Sequence, residues 1–132
     1  MSEKRRVLLV DDDREIVRGV GIRLRAAGYE VYTAFDGQAG LQAAQEHLPD
    51  AIVLDVRMPV MDGLTMLGKL RACPQTQAIP VVILSASAVA QGKSHALEQG
   101  ARFFLEKPYD PKSLIEAVES AIAECDAGAS TT

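Results

Sequence analysis

The chain has 132 residues, 48% of them hydrophobic, with 14 basic and 18 acidic side chains and a formal net charge of -4. That length and apolar content suit one domain with a single core, and the acidic balance argues against a nucleic-acid-binding surface. The longest weakly polar stretch, residues 78–90, is broken by Pro80 and serines and falls short of the ~20 apolar residues of a membrane span.

The N-terminal segment MSEKRRVLLVDDD offers only a four-residue apolar run before its acids, too short for a signal peptide. Lys4-Arg5-Arg6 reads as a solvated approach to the first strand. Val7–Val10 is wholly apolar, as a strand buried on both faces should be. Ile16, Val20 and Leu24 then recur at helical spacing, and Gly28 closes that helix. Gly19 and Gly21 stand inside it, each at a cost of up to about 1 kcal/mol against alanine. A second strand spans Glu30–Ala34, and Asp36-Gly37 turns the chain into an alanine-rich helix to His47, ended by Leu48-Pro49-Asp50.

A third strand covers Ala51–Leu54, and Met61-Asp62-Gly63 opens a helix carrying Leu64, Leu67 and Leu70. Pro74 and Pro80 bound a loop before the fourth strand, Val81–Leu84. A fourth helix is expected over residues 91–99, closed by Gly100, and a fifth strand over Arg102–Glu106. The last helix starts near Asp110-Pro111, where proline is tolerated at the first position, with the stripe Leu114, Ile115, Val118 and Ile122. Residues 1–126 form the expected domain, and the small, polar residues 127–132 an expected disordered tail. Cys73 and Cys125 fit no metal-ligand spacing and read as free thiols, in keeping with a reducing cytoplasm.

Five alternating strand–helix units imply a parallel sheet covered by helices on both faces. Sites in such sheets lie beyond the carboxyl ends of the strands. Asp11 and Asp12 follow the first strand, Asp55 the third, Ser85 the fourth and Lys107 the fifth. Singly, each has a plain structural reading: Asp11-Asp12-Asp13 as a helix cap, Ser85 as a strand-end hydroxyl, Lys107 as a solvated base. Their convergence on one edge is harder to assign to chance. Clustered carboxylates repel unless a cation relieves them, and oxygen ligands without His or Cys suit Mg²⁺. Asp55 could then act as a carboxylate nucleophile toward a phosphoryl group, with Mg²⁺ and Lys107 neutralising the transferring oxygens and Ser85 donating a hydrogen bond to the product.

These stretches, VLLVDDD at 7–13, LDVRMPVMDG at 54–63, VVILSAS at 81–87 and GARFFLEKPYD at 100–110, resemble the receiver domains of two-component response regulators over about residues 5–124. The resemblance implies an α/β, flavodoxin-like (βα)5 fold, a doubly wound parallel five-stranded sheet of order 2-1-3-4-5. It implies Asp55 as phosphoacceptor, Asp12 and Asp55 as direct Mg²⁺ ligands, Asp11 holding a metal-bound water, and the backbone carbonyl of Arg57 completing the protein ligands. Ser85 stands at the hydroxyl switch position, Phe104 at the aromatic switch position and Lys107 at the phosphate-binding position, with Asp13 left as a helix cap. Gly19, Gly21 and Gly40 depart from the family's pattern away from the site. His47 and His95 read as surface residues.

The implied protein is a cytoplasmic phosphoacceptor module rather than an enzyme. It would be charged by a histidine kinase or phosphotransfer protein and would act on an output protein or fused output domain. It would bind neither nucleic acid nor membrane directly. A homodimer could form through the fourth helix, fifth strand and last helix. Two other readings share parts of the pattern. A haloacid-dehalogenase-type Mg²⁺-dependent phosphatase would use Asp11 as nucleophile, but its follow-up residues and a late acidic motif are missing. A flavin-binding module would need a hydroxyl- and glycine-rich loop where three acids stand.

Overall fold

The computed structural model describes residues 4–56, 61, 63–85, 103–106 and 110–130. Its strands are β1 (Arg6–Val10), β2 (Glu30–Ala34), β3 (Ala51–Asp55), β4 (Val81–Ser85) and β5 (Phe103–Glu106). All pair in parallel in the order β2-β1-β3-β4-β5, as the resemblance implied. The helices are α1 (Arg14–Ala26), α2 (Gly37–His47), α3 (Gly63–Ala72) and α4 (Pro111–Ser130). The helix expected over residues 91–99 lies outside the described residues, so α4 is the last helix of the sequence reading.

Alternation along each strand builds two cores. Val7, Leu9, Val53, Val82 and Leu84 face α1 and α4, which contribute Val17, Val20, Leu24, Leu114, Val118 and Ile122. Leu8, Val10, Ile52, Leu54 and Ile83 face the other way, against Ala44 of α2 and Met66, Leu67 and Leu70 of α3. Each fully buried aliphatic side chain contributes roughly 1.5–3 kcal/mol. A strand so placed has no polar face, which is why the sequence shows continuous apolar runs.

The helix ends follow local chemistry. Asp13 caps α1, its carboxylate accepting from the N–H groups of Glu15 at 3.0 Å and Ile16 at 3.2 Å. Gly28, at φ 102°, lets the Tyr29 N–H reach the Leu24 carbonyl and its own N–H the Arg25 carbonyl, which closes α1 with a left-handed turn. Asp36 caps α2 through the Ala39 N–H at 2.8 Å. α2 stops at Leu48, which takes the left-handed conformation at φ 47°. The expected tail is shorter than the sequence suggested, because the α4 backbone is helical to Ser130. Ala127 and Ala129 favour continuation there.

The loop between α3 and β4 is tied down by polar groups. The buried Thr76 hydroxyl donates to the Leu70 carbonyl at 2.7 Å, and Arg71 donates to the carbonyls of Gln77 and Ile79. The ion pair Arg5–Asp50, at 3.5 Å, is solvent-exposed and contributes little. No helix among the described residues is long and apolar enough to cross a membrane.

Candidate functional site

The order of strands reverses between β1 and β3, so their carboxyl ends flank a crevice. Asp55 is the last residue of β3 and is only 5% exposed. Asp11 follows β1 and is fully buried, while Asp12 is exposed. One carboxylate oxygen from each lies within 4.8 Å of the other two. The three acids predicted to meet therefore do meet, although they come from segments 43 residues apart in sequence (Asp12 to Asp55).

The third acid of the run does different work. Asp13 turns away to cap α1, and its backbone N–H donates to Asp11 Oδ1 at 3.0 Å. Asp11 is further fixed by its own N–H on the Ala34 carbonyl at 3.2 Å. Behind Asp55, the Val56 N–H donates to Leu84 O at 3.1 Å and the Gly63 N–H to Val56 O at 2.8 Å. A Cβ on Gly63 would collide with the backbone carbonyl of Asp55. Only glycine lets the first turn of α3 press this closely on the residue that carries the acid. Gly40 also lies nearer the site than the sequence reading placed it. An added Cβ would sit 2.9 Å from Val10 Cγ1, one residue before Asp11.

Ser85 ends β4, and its backbone pairs with Glu106 at the end of β5; its side chain lies outside the described atoms. Arg57 and Lys107 lie outside the described residues, as do the Met58-Pro59 turn and Pro108. Phe104 sits on β5, half-buried, against the core cluster that α2 and α3 share.

Sequence reasoning missed one feature of this edge. The guanidinium of Arg14 stacks over the ring of Phe35, 4.0 Å from its centroid. A signal existed: a cation at the first position of a helix opposes the helix dipole and so asks for a reason.

The arrangement defines an open α/β domain with an acidic, all-oxygen crevice at its topological switch point. The chain belongs to the response regulator receiver domain family, whose model matches residues 7–119. It is a signalling domain of two-component systems. It is 42% identical over 115 residues to the transcriptional regulatory protein PrrA of Mycobacterium tuberculosis, covering 87% of this chain and 48% of PrrA. The chain thus spans about half of that relative's length. Chemotaxis protein CheY4 of Vibrio cholerae superposes with a TM-score of 0.85 at 34% identity, covering 90% of this chain and 99% of that one. The receiver domain of sensor histidine kinase PA1611 from Pseudomonas aeruginosa, which holds a magnesium ion in its active-site cleft, superposes with a TM-score of 0.84 at 28% identity, covering 92% and 99%.

Proposed function

We propose that this chain is a phosphorylation-controlled switch in which Asp55 accepts a phosphoryl group. The observation that carries the reading is the meeting of Asp11, Asp12 and Asp55 within 4.8 Å, two of them buried. Three carboxylates so close are costly without a cation. Their hard oxygen donors fit Mg²⁺, and the magnesium in the cleft of the PA1611 receiver domain supports that choice. Asp12 and Asp55 would ligate the ion directly, Asp11 through water, and the Arg57 carbonyl would add a further ligand. Bound there, Mg²⁺ would supply positive charge opposite the oxygens of the transferring group.

The protein's own groups do the rest. A carboxylate oxygen of Asp55 attacks the phosphorus of a phosphohistidine on a kinase or phosphotransfer protein. The P–N bond breaks, its electron pair returns to the imidazole, and Asp55 is left as an acyl phosphate. Lys107 and Ser85 donate hydrogen bonds to the phosphoryl oxygens. The new group brings a charge of about −2. It biases Ser85 and Phe104 toward an inward arrangement already sampled by the unmodified protein. The readout is the face of the fourth helix, β5 and α4, used for an output protein or fused output domain or for homodimerisation. The module works in the cytoplasm, contacts no nucleic acid or membrane itself, and has no activity beyond taking up and hydrolysing its own phosphoryl group.

Acetyl phosphate with Mg²⁺ should label Asp55, and Asp55→Asn should not be labelled. Persistent labelling of that variant, or labelling mapped to Asp11, would overturn the assignment.

A further inference from the structure

Asp11, Asp12, Asp13, Asp36 and Asp55 all stand at the carboxyl edge of the sheet, and Arg14 is set among them. It occupies the first position of α1, where the helix dipole disfavours a cation. Despite acids on either side in sequence, it forms no ion pair among the described residues. Its guanidinium lies instead over Phe35. Stacking holds the charge through the ring face and leaves the in-plane N–H donors open.

Phe35 places that charge at the site. It follows Ala34, which pairs with Val10 and accepts the Asp11 N–H. Phe35 therefore stands beside Asp11. Asp55 lies two strands over, since β1 separates β2 from β3, a lateral distance of about 10 Å. The formal charges show what an added cation does here. Three carboxylates with one divalent cation leave −1, and Asp13 and Asp36 at the same edge add further negative charge. An incoming phosphoryl dianion then meets no net attraction.

We propose that Arg14, presented by Phe35, is the residue that attracts the anionic phosphodonor to this site and sets the preference for doubly charged over singly charged donors. The inference rests on the phosphoacceptor reading of Asp55. Arg14 acts through charge at a distance and touches neither Asp55 nor the metal ligands' oxygens. It speeds encounter and weak binding of the donor, leaves the transfer step alone, and by the same charge repels Mg²⁺ at the carboxylate cluster to a comparable degree. A unit charge acting on a dianion across about 10 Å, partly screened, changes the donor's local concentration by roughly threefold to tenfold.

The test measures labelling rate against donor concentration, with Mg²⁺ saturating. It uses acetyl phosphate, a dianion at neutral pH, and phosphoramidate, which carries less net charge, on wild type, Arg14→Ala, Arg14→Lys and Phe35→Leu. Arg14→Ala should lose about threefold to tenfold in rate at low acetyl phosphate and less with phosphoramidate. Its dependence on salt should flatten. Arg14→Lys should keep most of the rate, and Phe35→Leu should fall between. Titration of Mg²⁺ without donor should show tighter binding in Arg14→Ala than in wild type, by a factor of the same order, which is why donor rates are compared with Mg²⁺ saturating. As a binding readout, inorganic phosphate added to Asp55→Asn protein should move the Arg14 Nε–H and Phe35 ring NMR signals. Equal rates in wild type and Arg14→Ala, equal losses with both donors, or weaker Mg²⁺ binding in Arg14→Ala would each overturn the inference while leaving Asp55 as phosphoacceptor. Failure of wild type to be labelled at all would overturn both.

Discussion

Asp12→Asn should make the metal-free protein more stable. The change is isosteric, Asp12 is exposed, and its side chain takes part in no hydrogen bond or ion pair among the described residues, so packing is untouched. What it removes is repulsion. Carboxylate oxygens of Asp12, Asp11 and Asp55 lie within 4.8 Å of one another. Two unit charges at that separation repel by roughly 0.9 kcal/mol at a dielectric constant of about 80, and by roughly 3.5 at about 20. Because Asp12 faces solvent, the lower figure governs its two pairs, for a sum of about 2 kcal/mol. The adjacent N-terminus of α1 favours the lost charge by about 0.3–1 kcal/mol. The net gain is then about 1 kcal/mol, or roughly 3–6 °C in Tm for a domain of this size.

The assay is urea and thermal unfolding of both proteins, in EDTA and in Mg²⁺. In EDTA the variant should be the more stable, and about 1 M NaCl should shrink the difference. At a Mg²⁺ concentration ten times its Kd, wild type gains about 1.4 kcal/mol by mass action. The variant, with one carboxylate fewer, gains less, so the order reverses. A variant that is no more stable than wild type in EDTA, or that gains equally from Mg²⁺, would refute the electrostatic account of this cluster.

Other substitutions probe the supports of the site. Gly63→Ala drives a methyl into the Asp55 carbonyl and should cost about 1–3 kcal/mol while slowing acetyl phosphate labelling, both read on the purified protein. Gly19→Ala meets nothing within 4 Å and should raise stability by about 0.5–1 kcal/mol with labelling unchanged; a loss in urea unfolding would mean that the glycine has a packing role. Thr76→Val leaves the Leu70 carbonyl without its buried donor and should cost about 1–3 kcal/mol, seen as a lower urea midpoint at constant slope. The Cys73 thiol is held below its ordinary pKa, first by the hydrogen bond from the Gln75 backbone. In a Cys125→Ser background its reaction with a disulfide reagent should therefore reach half-maximal rate at a lower pH than an ordinary thiol, and Gln75→Pro, which lacks the N–H, should move that midpoint up.

Much of this molecule was legible because its signals are local. A strand buried on both faces must be apolar throughout, so β1, β3 and β4 stand out as runs. The caps Asp13 and Asp36 and the stop at Gly28 are written in single residues. The site followed from topology alone: once the sheet is parallel, every strand's carboxyl end falls on one edge, and Asp11, Asp12 and Asp55 come with it. What stayed hidden depends on contacts between segments. The Arg14–Phe35 stack spans 21 positions and needs the β1–β2 register. The collision that demands Gly63 appears only when α3 is laid against Asp55.

The run of three acids shows both kinds of information at once. In sequence the three are alike. In the fold Asp13 answers the N-terminus of α1, and Asp11 is buried and held by a backbone N–H. Asp12 is exposed and lies beside Asp55. A helix cap needs one acid and a cation site needs several. By giving the cap to Asp13, the chain lets Asp11 and Asp12 converge with a third carboxylate from β3. On the magnesium reading proposed above, the repulsion that makes that convergence costly without metal is the same force that would draw a small divalent cation. The two properties therefore cannot be tuned separately by changing Asp12: a substitution there that steadies the empty domain must weaken its hold on Mg²⁺.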